Sequence, residues 1–276
     1  MLSKMGNLHV HWGTPTAGVP EAKFDSEPGD PNSAVYDIVE VLSPSKVRIH
    51  PPAKADGNAS YSIGRRCYGK FTVSNCDFFL LDTRSHRNLH NVDKPANPKA
   101  TMLGKQQLKW LKEGISKSEA DFIFIVSSVN FMVPHVGSGG GDDKQLTIKK
   151  DDAWTVFLKE REELIDFWDK LDKGVFVLTG DLHNSFAIKI TDNVYEFASG
   201  PHNSINHAPM KDEGGRPING RFKYGPRACD IRWSSYAMVD IPRANRTFPH
   251  YCVVQVNNVF NNPVERNGER WFAFPH

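Results

Sequence analysis

Asp181 and His183 stand two residues apart, just after Val175-Phe176-Val177-Leu178-Thr179, a run of buried-strand composition that ends in Gly180. A carboxylate oxygen and an imidazole nitrogen are good ligands for divalent or trivalent transition metals. Gly180 permits a sharp turn, and in an extended loop the i, i+2 spacing puts both side chains on one side. Open α/β sheets hold their ligands just beyond the carboxyl ends of strands, which is where this pair falls. The bland alternative is an Asp181 that caps a turn and a His183 that packs at a sheet edge.

Two further apolar runs end in polar residues. Leu80-Leu81 leads into Asp82-Thr83-Arg84-Ser85-His86-Arg87, where the planar forks of Arg84 and Arg87 match the geometry of phosphate oxygens. An Asp82–Arg84 ion pair that fixes the loop competes with that reading. Val126 leads into Ser127-Ser128-Val129-Asn130, whose hydroxyls suit a bound anion or a metal-bound water, with capping of the strand end as an equal alternative. The informative feature is convergence, because three buried strands should bring Arg84, Ser127, Ser128 and the Asp181/His183 pair to one sheet edge.

The elements that must position these residues follow from pattern. Short strands are expected at 35–41 and 46–50 around Ser43-Pro44-Ser45, and a hairpin over 68–73 should feed a central strand at 76–82. Leu103, Leu108, Trp110, Leu111 and Ile115 give a helical stripe over 104–116. A strand follows at 121–128, then a loop containing Gly137-Ser138-Gly139-Gly140-Gly141. A second helix is expected over 153–171, stopped by Gly174. Strands at 175–179, 186–190 and 194–198 come next, the last two joined at Asp192-Asn193. Residues 1–34 and 200–226 read as loop, and 236–240, 251–256 and 271–274 as closing antiparallel strands. Strand–helix alternation followed by antiparallel strands indicates a layered α/β domain.

Composition narrows the function classes. The 276 residues carry a net charge near +2, with 39% apolar and 24% charged residues. That is ordinary for a globular chain, and the scattered basic residues make no nucleic-acid patch; Lys149-Lys150 is followed at once by Asp151-Asp152. No stretch has the length of a transmembrane helix, and Met1 to Gly6 lacks the apolar core of a secretory signal. The four cysteines form no CxxC pair; their even count permits two disulfides, and free buried thiols are the blander reading.

Several of these segments together carry a resemblance. Leu81-Asp82-Thr83-Arg84-Ser85-His86-Arg87, Met102-Leu103-Gly104-Lys105-Gln106-Gln107-Leu108-Lys109-Trp110-Leu111, Ile125-Val126-Ser127-Ser128-Val129, Asp152-Ala153-Trp154 with Glu160-Arg161-Glu162, and Gly180-Asp181-Leu182-His183 occur in that order. In them the chain resembles the C-terminal part of the alkaline phosphatase D (PhoD-like) family of calcineurin-type metallophosphatases, over roughly residues 68–204. The resemblance implies a layered β-sandwich flanked by helices, with 1–67 as an irregular lead-in and 205–276 as a loop-rich close to the same domain. It implies a phosphomonoesterase or phosphodiesterase acting on a phosphate ester with iron and calcium, zinc or manganese being alternatives. Asp181 would then be a metal ligand, and His183 a second ligand or the group that orients the metal-bound water. Arg84 would contact phosphate, with Ser127 and Ser128 at the substrate. The family also suggests a secreted or periplasmic setting.

The departures are equally specific. The family's earlier Gly-Asp motif and its Trp-Asp-Asp-His-Glu segment are missing; the nearest Gly-Asp, Gly29-Asp30, is followed by Pro31, and Asn130 replaces the usual Pro. The expectation is an incomplete version of the fold that lacks the N-terminal half. With two ligands at most, the chain alone should hold metal weakly or not at all. A catalytically inactive binding module or partner subunit derived from a phosphatase is the alternative. His9-Val10-His11-Trp12-Gly13 is similar to the paired histidines of α-type carbonic anhydrases, but it sits in loop-like surroundings. His135 and His202 are further candidate ligands. A serine hydrolase lacks support, since there is no Gly-x-Ser-x-Gly elbow.

Overall fold

A computed structural model describes residues 6–11, 32, 34–65, 67–88, 90, 92–134, 153–238, 240–256, 264–266 and 269–271. His135, the 137–141 glycine loop, Lys149 to Asp152, Trp12-Gly13 and Gly29-Asp30-Pro31 lie outside the described residues.

Eight strands build the main sheet, in spatial order β11-β12-β9-β10-β8-β7-β6-β5. They are β5 (Gly69–Val73), β6 (Cys76–Leu80), β7 (Phe122–Val126), β8 (Gly174–Thr179), β9 (Phe186–Lys189), β10 (Val194–Ala198), β11 (Gly220–Tyr224) and β12 (Arg227–Ser234). The central strands β6, β7, β8 and β10 run parallel, and the flanking strands are antiparallel to their neighbours. Four earlier strands, β1 (Gly6–His11), β2 (Ala34–Ser43), β3 (Lys46–His50) and β4 (Ser60–Arg65), make a second, antiparallel sheet in the order β3-β2-β1-β4. A short pair, β13 (Val264–Arg266) and β14 (Glu269–Trp271), stands apart in sequence.

Register explains why the centre of the main sheet reads as continuously apolar. One row, Phe79, Ile125, Val177, Glu196, Ile188 and Ile231, shares a face. Helix α1 (Gly104–Ser116) packs there: its Gly114 lies so close to Phe79 that an added Cβ would stand 2.8 Å from the ring. Helix α2 (Leu158–Trp168) is tied to α1 by the Lys112–Glu163 ion pair and buries Leu164, Ile165 and Trp168 in the same core. The opposite face carries an aromatic row: Phe71 stacks on Phe78 and Phe78 on Phe124, each at 4.7 Å, and Phe124 on Phe176 at 5.3 Å. Strands that are apolar on both faces are typical of parallel sheets. The chain therefore has the layered α/β architecture expected.

Some expectations need correction. Residues 6–11 form a strand rather than a loop, so His9 and His11 lie in a sheet, and 220–224 and 227–234 extend the main sheet. The second helix is shorter than expected, because 154–156 is a separate 3-10 turn. Residues 236–238 and 251–256 are not strands; Ser235 N–H and Tyr236 C=O are instead bonded to the loop that follows β8. A last short helix, α3 (Pro209–Asp212), lies within the long connection to β11. Cys76, Cys229 and Cys252 are free, and among the described residues no helix is long and apolar enough to cross a membrane.

Candidate phosphate and metal site

The parallel pairing runs one residue past the strand ends. Leu81 N–H donates to Val126 C=O at 2.8 Å, Ser127 N–H to Leu178 C=O at 2.9 Å, and Ser199 N–H to Thr179 C=O at 3.1 Å. Beyond these bonds the chain splays into loops at a single carboxyl edge. Neighbouring strands lie about 4.8 Å apart, so the first and third loops leave the sheet within about 10 Å of each other. Arg84, Ser127, Ser128, Asp181 and His183 all belong to these loops.

The first loop is fixed by Asp82, through backbone rather than through Arg84's guanidinium. Its Oδ1 accepts the N–H groups of Arg84 (2.9 Å) and Ser85 (2.8 Å), and Oδ2 lies 3.7 Å from His86 Nε2. Asp82 is held in turn by buried Gln107, which accepts its N–H at 2.8 Å and donates to its C=O at 2.9 Å. The Arg84 side chain is exposed and makes no ion pair among the described residues.

The second loop separates its two hydroxyls. Ser127 is buried, donates to Val129 C=O at 2.6 Å and accepts the Trp154 indole N–H at 3.2 Å. Ser128 is exposed and shares a 2.5 Å hydrogen bond with Thr83, which ties the first two loops together. Asn130 is buried, and its amide donates to Val133 C=O. Glu196, fully buried in β10, accepts Phe131 N–H (2.7 Å), Met132 N–H (2.9 Å) and the Thr179 hydroxyl (2.9 Å). It thereby joins the end of the second loop to the end of β8, and burial pushes its carboxyl above the usual range against those bonds.

The third loop turns at Asp181 rather than at Gly180. Asp181 has φ of +69°, and Leu182 N–H bonds back to Gly180 C=O at 2.8 Å, a three-residue turn centred on an exposed carboxylate. A left-handed aspartate is tolerated but costly, and such strain concentrates at functional sites. Leu182 is buried and anchors the turn. His183 is half-buried, with Nδ1 2.6 Å from Ile205 C=O. A carbonyl only accepts, so Nδ1 carries a proton, which in a neutral ring leaves the lone pair on Nε2. That is the arrangement of a metal-ligating histidine whose other nitrogen is held by the backbone.

Contacts from 205–207, 235–236 and 250 supply the scaffold for this turn; the first group falls in the 200–226 stretch read in sequence as loop, and Tyr236 in the expected 236–240 strand. His207 N–H donates to His183 C=O at 2.7 Å, and the two rings stack with centroids 4.5 Å apart. Buried Asn184 donates to Tyr236 C=O at 2.9 Å. The Ser185 hydroxyl lies 3.0 Å from His250 Nδ1 and accepts Gly200 N–H at 2.8 Å. On its far side His250 Nε2 is 2.8 Å from the Asn206 amide nitrogen, whose companion oxygen accepts Phe248 N–H. The amide therefore donates to Nε2, His250 carries its proton on Nδ1, and Nδ1–H donates to Ser185. The ring cannot act as a base toward that hydroxyl, so this serine–histidine pair is not a hydrolase nucleophile. The one available sequence signal was the density of Asn, His and Ser over 202–207. His202 itself is exposed.

Asp181 and His183 have the donor chemistry for a metal, yet two ligands do not complete a coordination shell. Among the described residues no group of three or more His, Cys, Asp or Glu side chains is placed to hold one.

Fold and loop geometry define a sheet protein whose polar residues gather at the carboxyl edge of a parallel core. The chain belongs to the PhoD-like phosphatase family, whose family model matches residues 50–223. It is 32% identical to alkaline phosphatase D of Bacillus subtilis (strain 168) over 130 residues, which cover 44% of this chain and 21% of that protein. The chain thus matches about a fifth of the length of that curated relative. A solved structure of PhoD is similar over 62% of this chain and 41% of its own, with 23% identity and a TM-score of 0.44.

Proposed function

We propose that this chain forms the phosphate-binding and part of the metal-binding face of a metal-dependent phosphoester hydrolase. The observation that carries the reading is the fixed tautomer of His183 beside the strained, exposed Asp181 at the shared sheet edge. Asp181 and His183 Nε2 would hold a metal, iron or calcium by family likeness, and Arg84 would grip non-bridging phosphate oxygens through its guanidinium. When bound, the metal supplies charge that polarises a phosphoryl oxygen. Ser128, at the surface, would meet substrate, whereas Ser127 holds the loop from below. No protein nucleophile is required. The remaining metal ligands must come from outside the described residues. The shortage of ligands among the described residues favours a second reading, an inactive module or partner subunit derived from a phosphatase.

Elemental analysis of the purified chain and of Asp181→Ala, together with p-nitrophenyl phosphate turnover, tests both readings. Weak metal uptake that Asp181→Ala abolishes, with little turnover, is expected of a partial site. Stoichiometric metal and ordinary turnover would show a complete one. Metal content that Asp181→Ala leaves unchanged removes Asp181 from the site.

A further inference from the structure

Beneath the histidine stack lies an ion pair with no obvious use. Glu213 and Arg216 are both fully buried, and Glu213 Oε2 is 2.7 Å from Arg216 Nη2. Burying such a pair costs desolvation that its attraction rarely repays, so replacement by apolar residues of similar volume is often neutral or stabilising. Besides a bond from Arg216 to Pro217 C=O at 3.2 Å, the pair's contacts run to the turn after β8 and to the end of β12. Arg216 reaches Asn184 Oδ1 at 3.3 Å and Ser234 Oγ at 2.6 Å, and lies over the Phe186 ring at 4.6 Å. Asn184 and Phe186 both lie within three residues of His183. The second carboxylate oxygen, Glu213 Oε1, faces His207 Nδ1 at 3.7 Å. His207 touches His183 through its ring face and its backbone N–H.

We infer that His207, backed by the buried Glu213–Arg216 pair, is a positioning residue that fixes the ring plane and tautomer of His183. The inference rests on His183 being a metal ligand only for its purpose, not for its geometry. Two residues of one short segment grip His183 in three ways: Ile205 C=O takes the Nδ1 proton, His207 N–H takes the main-chain carbonyl, and the His207 ring covers one imidazole face. Asn206, between them, is pinned by Arg246 C=O, Phe248 N–H and His250. Glu213 limits the tilt of the His207 ring, and Arg216 holds both Glu213 and the Asn184 end of the turn.

The test uses nitrogen NMR of the full chain without metal, at alkaline pH. His183 of the parent protein is expected to show a single tautomer protonated at Nδ1. The double variant Glu213→Leu/Arg216→Met should unfold at the same or higher denaturant concentration, yet show mixed His183 tautomers and about tenfold weaker Zn²⁺ binding. His207→Ala, which leaves the ion pair in place, should give the same mixture, and His207→Phe, which retains a stacking face, should restore much of the single tautomer. A folded His207→Ala protein with the parent His183 signals overturns the inference, as does a double variant with unaltered signals. If Zn²⁺ fails to move the His183 signals of the parent protein, the metal reading falls, while the tautomer comparison still decides the positioning role.

Discussion

Ser127 and Ser128 show how far residue type alone can carry a site. Both follow a buried strand, and alternation sends them to opposite sides. Ser127 faces the core, where its hydroxyl is engaged by Trp154 and Val129, while Ser128 stays at the surface. Ser127→Ala should lower stability by about 1–3 kcal/mol, because it orphans a buried indole N–H. Urea unfolding measures this, and an unchanged midpoint would mean that the hydroxyl is not a buttress. Asp181, His183 and Arg84 were legible as candidates because strand-plus-loop patterns mark the sheet edge. The grips on them were not, since Ile205 C=O and His207 N–H are backbone groups, and any residue type can supply those.

At the scale of elements, the residues that give the chain its family likeness prove to be clamps. Gln107 in α1 closes on both backbone groups of Asp82, and Glu160 in α2 accepts Leu103 N–H at 2.9 Å at the head of α1. Burial pushes the Glu160 carboxyl above its ordinary range despite that bond. Gln107→Leu keeps the volume and leaves two buried backbone groups of Asp82 unpaired, at a cost of about 2–5 kcal/mol. Faster hydrogen exchange at Arg84 and Ser85 should accompany the lower stability; unaltered exchange there would separate the clamp from the loop. Helix α1 was readable to the residue because its apolar stripe is regular. Strand β12 was hidden: Cys229 and Ile231 alternate inward, but the register shifts between Ile231 and Trp233, and Trp233 is left 55% exposed.

Across the whole molecule, the turn after β8 is secured by chain that lies far away in sequence. His250 is the most remote of these contacts, and burial holds its ring below the usual histidine range. Above about pH 6.5 the ring is neutral whether the segment is closed or open, and no penalty arises. As pH falls through that value the open form takes up a proton first, so the closed form loses relative stability until the folded ring also titrates. Exchange protection at Ser185 and Gly200, corrected for intrinsic rates, should therefore fall as the pH drops through about 6.5. His250→Gln should flatten that dependence, and an identical pH profile in the variant would assign the loss to another group. Cys229, by contrast, has its thiol pushed up to about 12, chiefly by burial, and stays an inert part of the core.

The 65-residue separation between Ser185 and His250 also bears on synthesis. A ribosome adding about 5–20 residues per second needs several seconds to reach His250 after it has made the turn. During that interval the sheet can pair while Asp181 and His183 still lack their final restraint. A nascent chain stalled before His250 would then display a finished β8 and an unset turn, so the aspartate–histidine pair acquires its geometry late in translation.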